Sequence, residues 1–146
     1  MIQKKYNMTR GGKKMENTLT LKALAKINQG LDVLGKRDNG YHDVRMVMQT
    51  IYLYDNVTLT KTKETGIQVE TNLSYLPVDE NNIAYKAAKL LRDEFHIQDG
   101  VHIKLDKHIP VAAGLAGGSS NAAAVLVGMN RLWGLGLSQK ELMERC

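Results

Sequence analysis

One cysteine, two prolines and a 5% share of aromatic residues in 146 positions exclude several kinds of protein at once. The cysteine is the last residue, Cys146, so no disulfide closes within the chain and there is no Cys-x-x-Cys redox or zinc motif. A domain of this size buries roughly 68 to 70% of its unfolded surface, so it needs no covalent staple. No stretch of about 18 apolar residues occurs to form a transmembrane helix, and the first residues lack the apolar segment of a secretory signal. These absences predict a cytoplasmic protein with no membrane partner.

Acid is missing from one place. Lys4, Lys5, Arg10, Lys13 and Lys14 stand in the first 14 residues without an Asp or Glu, and over the rest of the chain basic and acidic residues are equal in number. The net charge of +5 therefore belongs to this leader. Residues 1–14 read as a basic, disordered leader before a second possible start at Met15, and residues 15–146 as a neutral folded domain. Nucleic acid is not an expected partner of that body.

What is present is patterned. Leu19, Leu21, Ala23, Ala25 and Ile27, followed by Leu31 and Val33, alternate with polar residues, a period of two that predicts a long strand. Turn residues Lys36 to Gly40 interrupt it, and the run from Tyr41 to Leu53 resumes it, which predicts a hairpin with Met46 and Met48 filling the core. Residues 57–61 and 67–71 predict a second, shorter hairpin around Glu64-Thr65-Gly66. Beyond Pro77 the period becomes 3.6. Ile83, Ala87, Leu90, Leu91 and Phe95 share one face of a helix capped by Asn81 or Asn82. Val101, Ile103 and Leu105 mark another half-buried strand, and the residues from Ser119 to Trp133 a helix buried on most sides. Ser138 and Glu141 form a capping box that opens one more helix, about two turns from the last residue, an arrangement that predicts a longer parent protein. His102 and His108 share a strand face with Lys104 and Asp106, and this reads as a solvated face; no histidine has metal-ligand spacing.

Chemistry concentrates between that last strand and the buried helix, in Pro110-Val111-Ala112-Ala113-Gly114-Leu115-Ala116-Gly117-Gly118-Ser119-Ser120. Small residues let the backbone approach an anion, and the unpaired N–H groups of a helix start are suited to phosphate. The spacing is neither a Walker loop nor G-x-G-x-x-G. A tight turn in which glycine only permits packing is the alternative. Lys26 and Asn28, two apart on a strand, point the same way and could meet a hydroxyl or phosphate, or remain a solvated pair. Tyr41 and His42 follow the Asn39-Gly40 turn, as a ring platform or as packing.

The Pro-x-x-x-Gly-Leu-x-Gly-Gly-Ser-Ser loop resembles the phosphate-binding motif of the GHMP kinases. Ala25-Lys26-Ile27-Asn28 with Gly40-Tyr41-His42 is similar to the members that phosphorylate a cytidine diphosphate-linked methylerythritol on the way to isoprenoid precursors. The resemblance implies an α/β sandwich like ribosomal protein S5 domain 2, the N-terminal lobe of such a kinase, with ATP and Mg²⁺ as cofactors and that small molecule as substrate. It implies that residues 110–120 wrap the ATP phosphates, with Asn82 and Lys107 near the nucleoside. By the same resemblance Lys26 is catalytic beside the accepting hydroxyl, Asn28 is a substrate contact, and Tyr41 and His42 hold the cytosine. Ala116 and Asn121 stand where many members have Gly and Asp. The family's acid/base aspartate, in a Gly-Ala-Asp-Val-Pro segment beyond the Ser138 helix, does not occur in these 146 residues, which implies a chain inactive alone. An RNA-binding module of the same fold is the competing reading, suggested by the pI of about 9.3.

Overall fold

The computed structural model describes residues 17–146. The basic leader lies outside the described residues. The long alternating run forms β1 (Thr18–Lys36), which turns at Asn39-Gly40 into β2 (His42–Thr62). Gly40 has a φ of 85° and donates its N–H to the Arg37 carbonyl at 3.0 Å, the geometry the turn sequence demands. β3 (Ile67–Thr71), α1 (Ile83–Glu94), β4 (Gly100–Asp106), α2 (Gly117–Trp133) and the short α3 (Gln139–Met143) follow.

The sheet order is β1-β2-β4-β3, which corrects the expected second hairpin. β2 runs unbroken through residues 53–57, and β4 inserts beside it antiparallel, pairing Val57 with Leu105 and Leu59 with Ile103. β3 pairs in parallel with the far side of β4. The reason is burial: Val101, Ile103 and Leu105 are almost completely enclosed, so β4 takes an inner place, while β3, with Gln68 exposed, serves as an edge.

α1 and α2 cover one face of this sheet, α2 over β1 and β2, α1 beside it over β3 and β4. Leu19, Leu21, Ala23, Val57, Leu59, Val101 and Ile103 meet Leu91, Val125, Leu126 and Met129 in a single core. The face of α1 differs from the one expected. Ala84, Ala87, Ala88 and Leu91 are buried, whereas Ile83 and Leu90 are exposed, because small side chains let α1 approach α2 closely. α2 begins at Gly117, two residues before the expected start. α3 has the expected capping box: the Ser138 hydroxyl accepts from Glu141 N–H, and the Glu141 carboxylate accepts from Ser138 N–H.

The two-layer arrangement ends at Ala25. Residues 27–36 of β1 and 42–52 of β2 continue as a two-stranded ribbon beyond the helices, and there Leu31, Val33, Met46 and Met48 are exposed rather than core, Met48 to 61%. The alternation persists along the strand, but among the described residues no second layer covers it.

Candidate functional site at two helix N-termini

The 110–116 loop leaves β4 and enters α2 through an alternating backbone: Ala112, Gly114 and Ala116 have φ values of 58°, 72° and 60°. Alternate left-handed residues gather neighbouring amides into a concavity suited to an anion. Ala116 is the N-cap of α2 and no side chain caps the helix. The first helical bond runs from Ser120 N–H to the Ala116 carbonyl at 2.9 Å, which leaves the amides of Gly117, Gly118 and Ser119 without partners inside the helix. The helix dipole adds its positive end at the same place. Gly117 also lies close against its neighbours. A Cβ there would sit 3.1 Å from Ile109 Cγ2 and 3.4 Å from Lys107 Nζ.

The loop lines a cavity of about 410 Å³ that extends to the start of α1. Asn82 caps α1, its Oδ1 accepting from Ala84 N–H at 2.9 Å while its Nδ2 donates to the Pro77 carbonyl at 2.7 Å. Two helix N-termini therefore open into one cavity. Leu76, Pro77, Ile83, Val111 and Leu115 give it apolar walls, so it offers an apolar slot beside a donor-rich end.

Lys26 is tied to the edge of the loop. A register shift between Leu24 and Lys26 frees the Lys26 N–H from the β1–β2 ladder, and it donates to the Leu115 carbonyl at 3.0 Å. Its ammonium donates to the Gly114 carbonyl at 2.9 Å and to Asn28 Oδ1 at 3.2 Å.

Beneath the loop lies a buried polar group that the sequence reading missed. Asp55 is fully buried; Lys107 and Asn121 beside it are nearly so. Asp55 Oδ1 accepts from the N–H groups of His108 at 2.7 Å and Ile109 at 2.8 Å. Its Oδ2 accepts from Asn121 Nδ2 at 2.9 Å and pairs with the Lys107 ammonium, which also donates to Asn121 Oδ1 at 2.8 Å. Burial pushes the Asp55 carboxyl up, but the Ile109 N–H, the Lys107 ammonium, the His108 N–H and the Asn121 amide together hold it below the usual carboxylate value.

The structure thus brings together Asn82, Lys107, residues 110–119 and, at the rim, Lys26 with Asn28. Ser120 sits half-buried in the first turn of α2. Tyr41, 74% exposed, and His42 are not brought there: they stand at the tip of the ribbon, where His42 pairs with Lys36, ten residues or about 30 Å along the strand from Lys26. Among the described residues no cluster of three or more His, Cys, Asp or Glu side chains could hold a metal. No helix among them is long and apolar enough to cross a membrane.

Residues 82–146 match the family model described as GHMP kinases N terminal domain, and the chain has the fold of the N-terminal lobe of these kinases. A homoserine kinase from Cytophaga hutchinsonii, at 19% identity, shares that fold with a TM-score of 0.70 over 94% of this chain and 42% of its own. The more particular likeness is to 4-diphosphocytidyl-2-C-methyl-D-erythritol kinase. The protein of that name from Lachnoclostridium phytofermentans is 58% identical over 126 residues, 86% of this chain and 43% of its own length; that from Lachnospira eligens is 54% identical over 127 residues, 87% and 44%. A crystal structure of 4-(cytidine 5'-diphospho)-2C-methyl-D-erythritol kinase, 32% identical, superimposes with a TM-score of 0.73 over 86% of this chain and 45% of that one. The chain thus spans less than half the length of the relatives it matches.

Proposed function

We propose that the protein is the nucleotide-binding lobe of a cytoplasmic kinase that transfers the γ-phosphoryl group of ATP to the 2-hydroxyl of 4-diphosphocytidyl-2-C-methyl-D-erythritol. The observation that carries this reading is the uncapped start of α2, with its alternating loop, opening into the cavity whose rim holds Lys26. In this reading the loop amides and the α2 dipole neutralise the phosphate oxygens, and the apolar walls near Pro77 and Ile83 take the nucleoside. The substrate hydroxyl attacks the γ-phosphorus in line, the bond to the β-phosphate oxygen breaks, and the hydroxyl proton leaves to a base. Lys26 stabilises charge on the transferring group and orients the hydroxyl, with Asn28 as its neighbour.

Mg²⁺ would accompany ATP in this proposal and would supply charge neutralisation at the phosphates. No carboxylate among the described residues lines the cavity, so the lining residues do not form a magnesium site and no protein ligand is assigned. The proposed cytosine contact of Tyr41 and His42 requires the ribbon to fold toward Lys26. Register shifts at Asn28/Gly30 and Val33/Gly35 supply the points where it can bend.

Calorimetry with ATP tests the reading on residues 1–146. Gly117→Val drives a branched side chain into Ile109 and Lys107 and displaces the amides around it, so ATP affinity should fall by about tenfold or more, and further than in Lys26→Ala. Equal affinity in wild type and the Gly117 variant would sink it.

A further inference from the structure

Asp55 lines no part of the cavity, yet each of its contacts leads to the loop. His108 and Ile109, whose amides it accepts, immediately precede Pro110; Asn121, which donates to its other oxygen, immediately follows Ser120. One carboxylate therefore holds both ends of the 110–120 segment to the middle of β2. Its partner Lys107 is fixed at a second level, because Asn72 brackets the Lys107 backbone, accepting from its N–H at 2.8 Å and donating to its carbonyl at 3.1 Å. The ammonium so placed lies against Gly117, the first residue of α2.

We propose that Asp55 is a positioning residue for phosphate binding: by anchoring both ends of the loop it sets the amides of Gly114 to Ser119 in place before a nucleotide arrives. The proposal rests on the nucleotide reading of the cavity, but its physical content can be read without nucleotide. Asparagine at position 55 keeps one oxygen for the two backbone amides. Its amide nitrogen then faces two donors, Lys107 and Asn121, and leaves a buried ammonium without a counter-charge. Moving the carboxylate across the group, with Asp55→Asn and Asn121→Asp together, returns a counter-charge to Lys107 at position 121 and keeps the hydrogen bond between residues 55 and 121 with its direction reversed; only the Lys107 contact with residue 55, now against an amide nitrogen, is not regained.

The test compares wild-type residues 1–146, Asp55→Asn and the transposed double variant by hydrogen exchange at the His108, Ile109 and Ser120 amides, which are hydrogen-bonded at the two ends of the loop, and by calorimetry with ATP and with adenosine. In Asp55→Asn those three amides should exchange about tenfold faster and ATP affinity should fall about tenfold, with adenosine affinity unchanged. The double variant should return both quantities to within about threefold of wild type. A general loss of structure would lower adenosine affinity as well. Wild-type exchange in Asp55→Asn overturns the proposal, as does a double variant whose loop still exchanges fast. If Asp55→Asn does not fold, the double variant against wild type decides in the same way. Failure of wild type to bind ATP defeats the nucleotide reading, and the exchange data still decide the role of Asp55.

Discussion

Ala116 carries a backbone conformation that its side chain opposes. With φ at 60° and ψ at 25° it is left-handed, a state that costs a residue with a Cβ on the order of 1 to 2 kcal/mol, and it is also the N-cap of α2, where alanine is among the poorest residues. Ala116→Gly removes both penalties and loses part of the gain to the unfolded chain's greater freedom. Urea unfolding should show a stabilisation of about 1 kcal/mol with ATP affinity retained, since no donor is removed; a destabilised variant would mean that Ala116 is not left-handed in solution. The resemblance implied a glycine at this position in many members, and the left-handed backbone at Ala116 supplies a physical reason for one. Asp55 was legible in principle. It shares strand parity with Val57 and Leu59, so alternation alone places a carboxylate on the buried face, where an unpartnered charge cannot stay.

At the scale of elements, periodicity located β1, β3, β4, α1 and α2 to within a few residues, and the Ser138 capping box located α3. It merged less well where β2 passes through Asp55 and Asn56, because polar residues there imitate a turn. Strand order was not legible, since it depends on which strand is buried deepest, a property of the whole sheet. α2 shows how an element is fixed in place. Gly128 lets it settle on the sheet: a Cβ there would lie 2.5 Å from Leu59 Cδ1 and 3.3 Å from Leu21 Cδ1. Gly128→Val pushes a branched side chain against two leucines that are themselves buried, and the gain in helix propensity over glycine is too small to offset it. Chemical denaturation should give a loss of about 1 to 3 kcal/mol. Unchanged stability would mean that α2 does not rest on β1 and β2 at this residue.

Among the described residues the core is enclosed and the cavity is open. Helices and sheet enclose one cluster of apolar residues, while the ribbon beyond Ala25 leaves Leu31, Val33, Val44, Met46 and Met48 open along one face, a patch of the kind that associates. Among the described residues the cavity is lined by donors, carbonyls and apolar groups, with no carboxylate to take the proton of an attacking hydroxyl. Lys26 presents its Nζ as a donor, to the Gly114 carbonyl and to Asn28 Oδ1. More than half of each relative's length lies outside the likeness. Residues 1–146 should therefore bind ATP yet phosphorylate the cytidine-linked substrate at least about 10² to 10⁴ more slowly than a full-length relative, the usual loss when a general base is absent. Phosphorylated product measured beside such a relative reads the rate, and sedimentation reads the association expected of the open ribbon. Turnover within about tenfold of the relative, from a monomeric chain, would show that the proton acceptor is already among these residues and that the cavity's lining does not account for the chemistry.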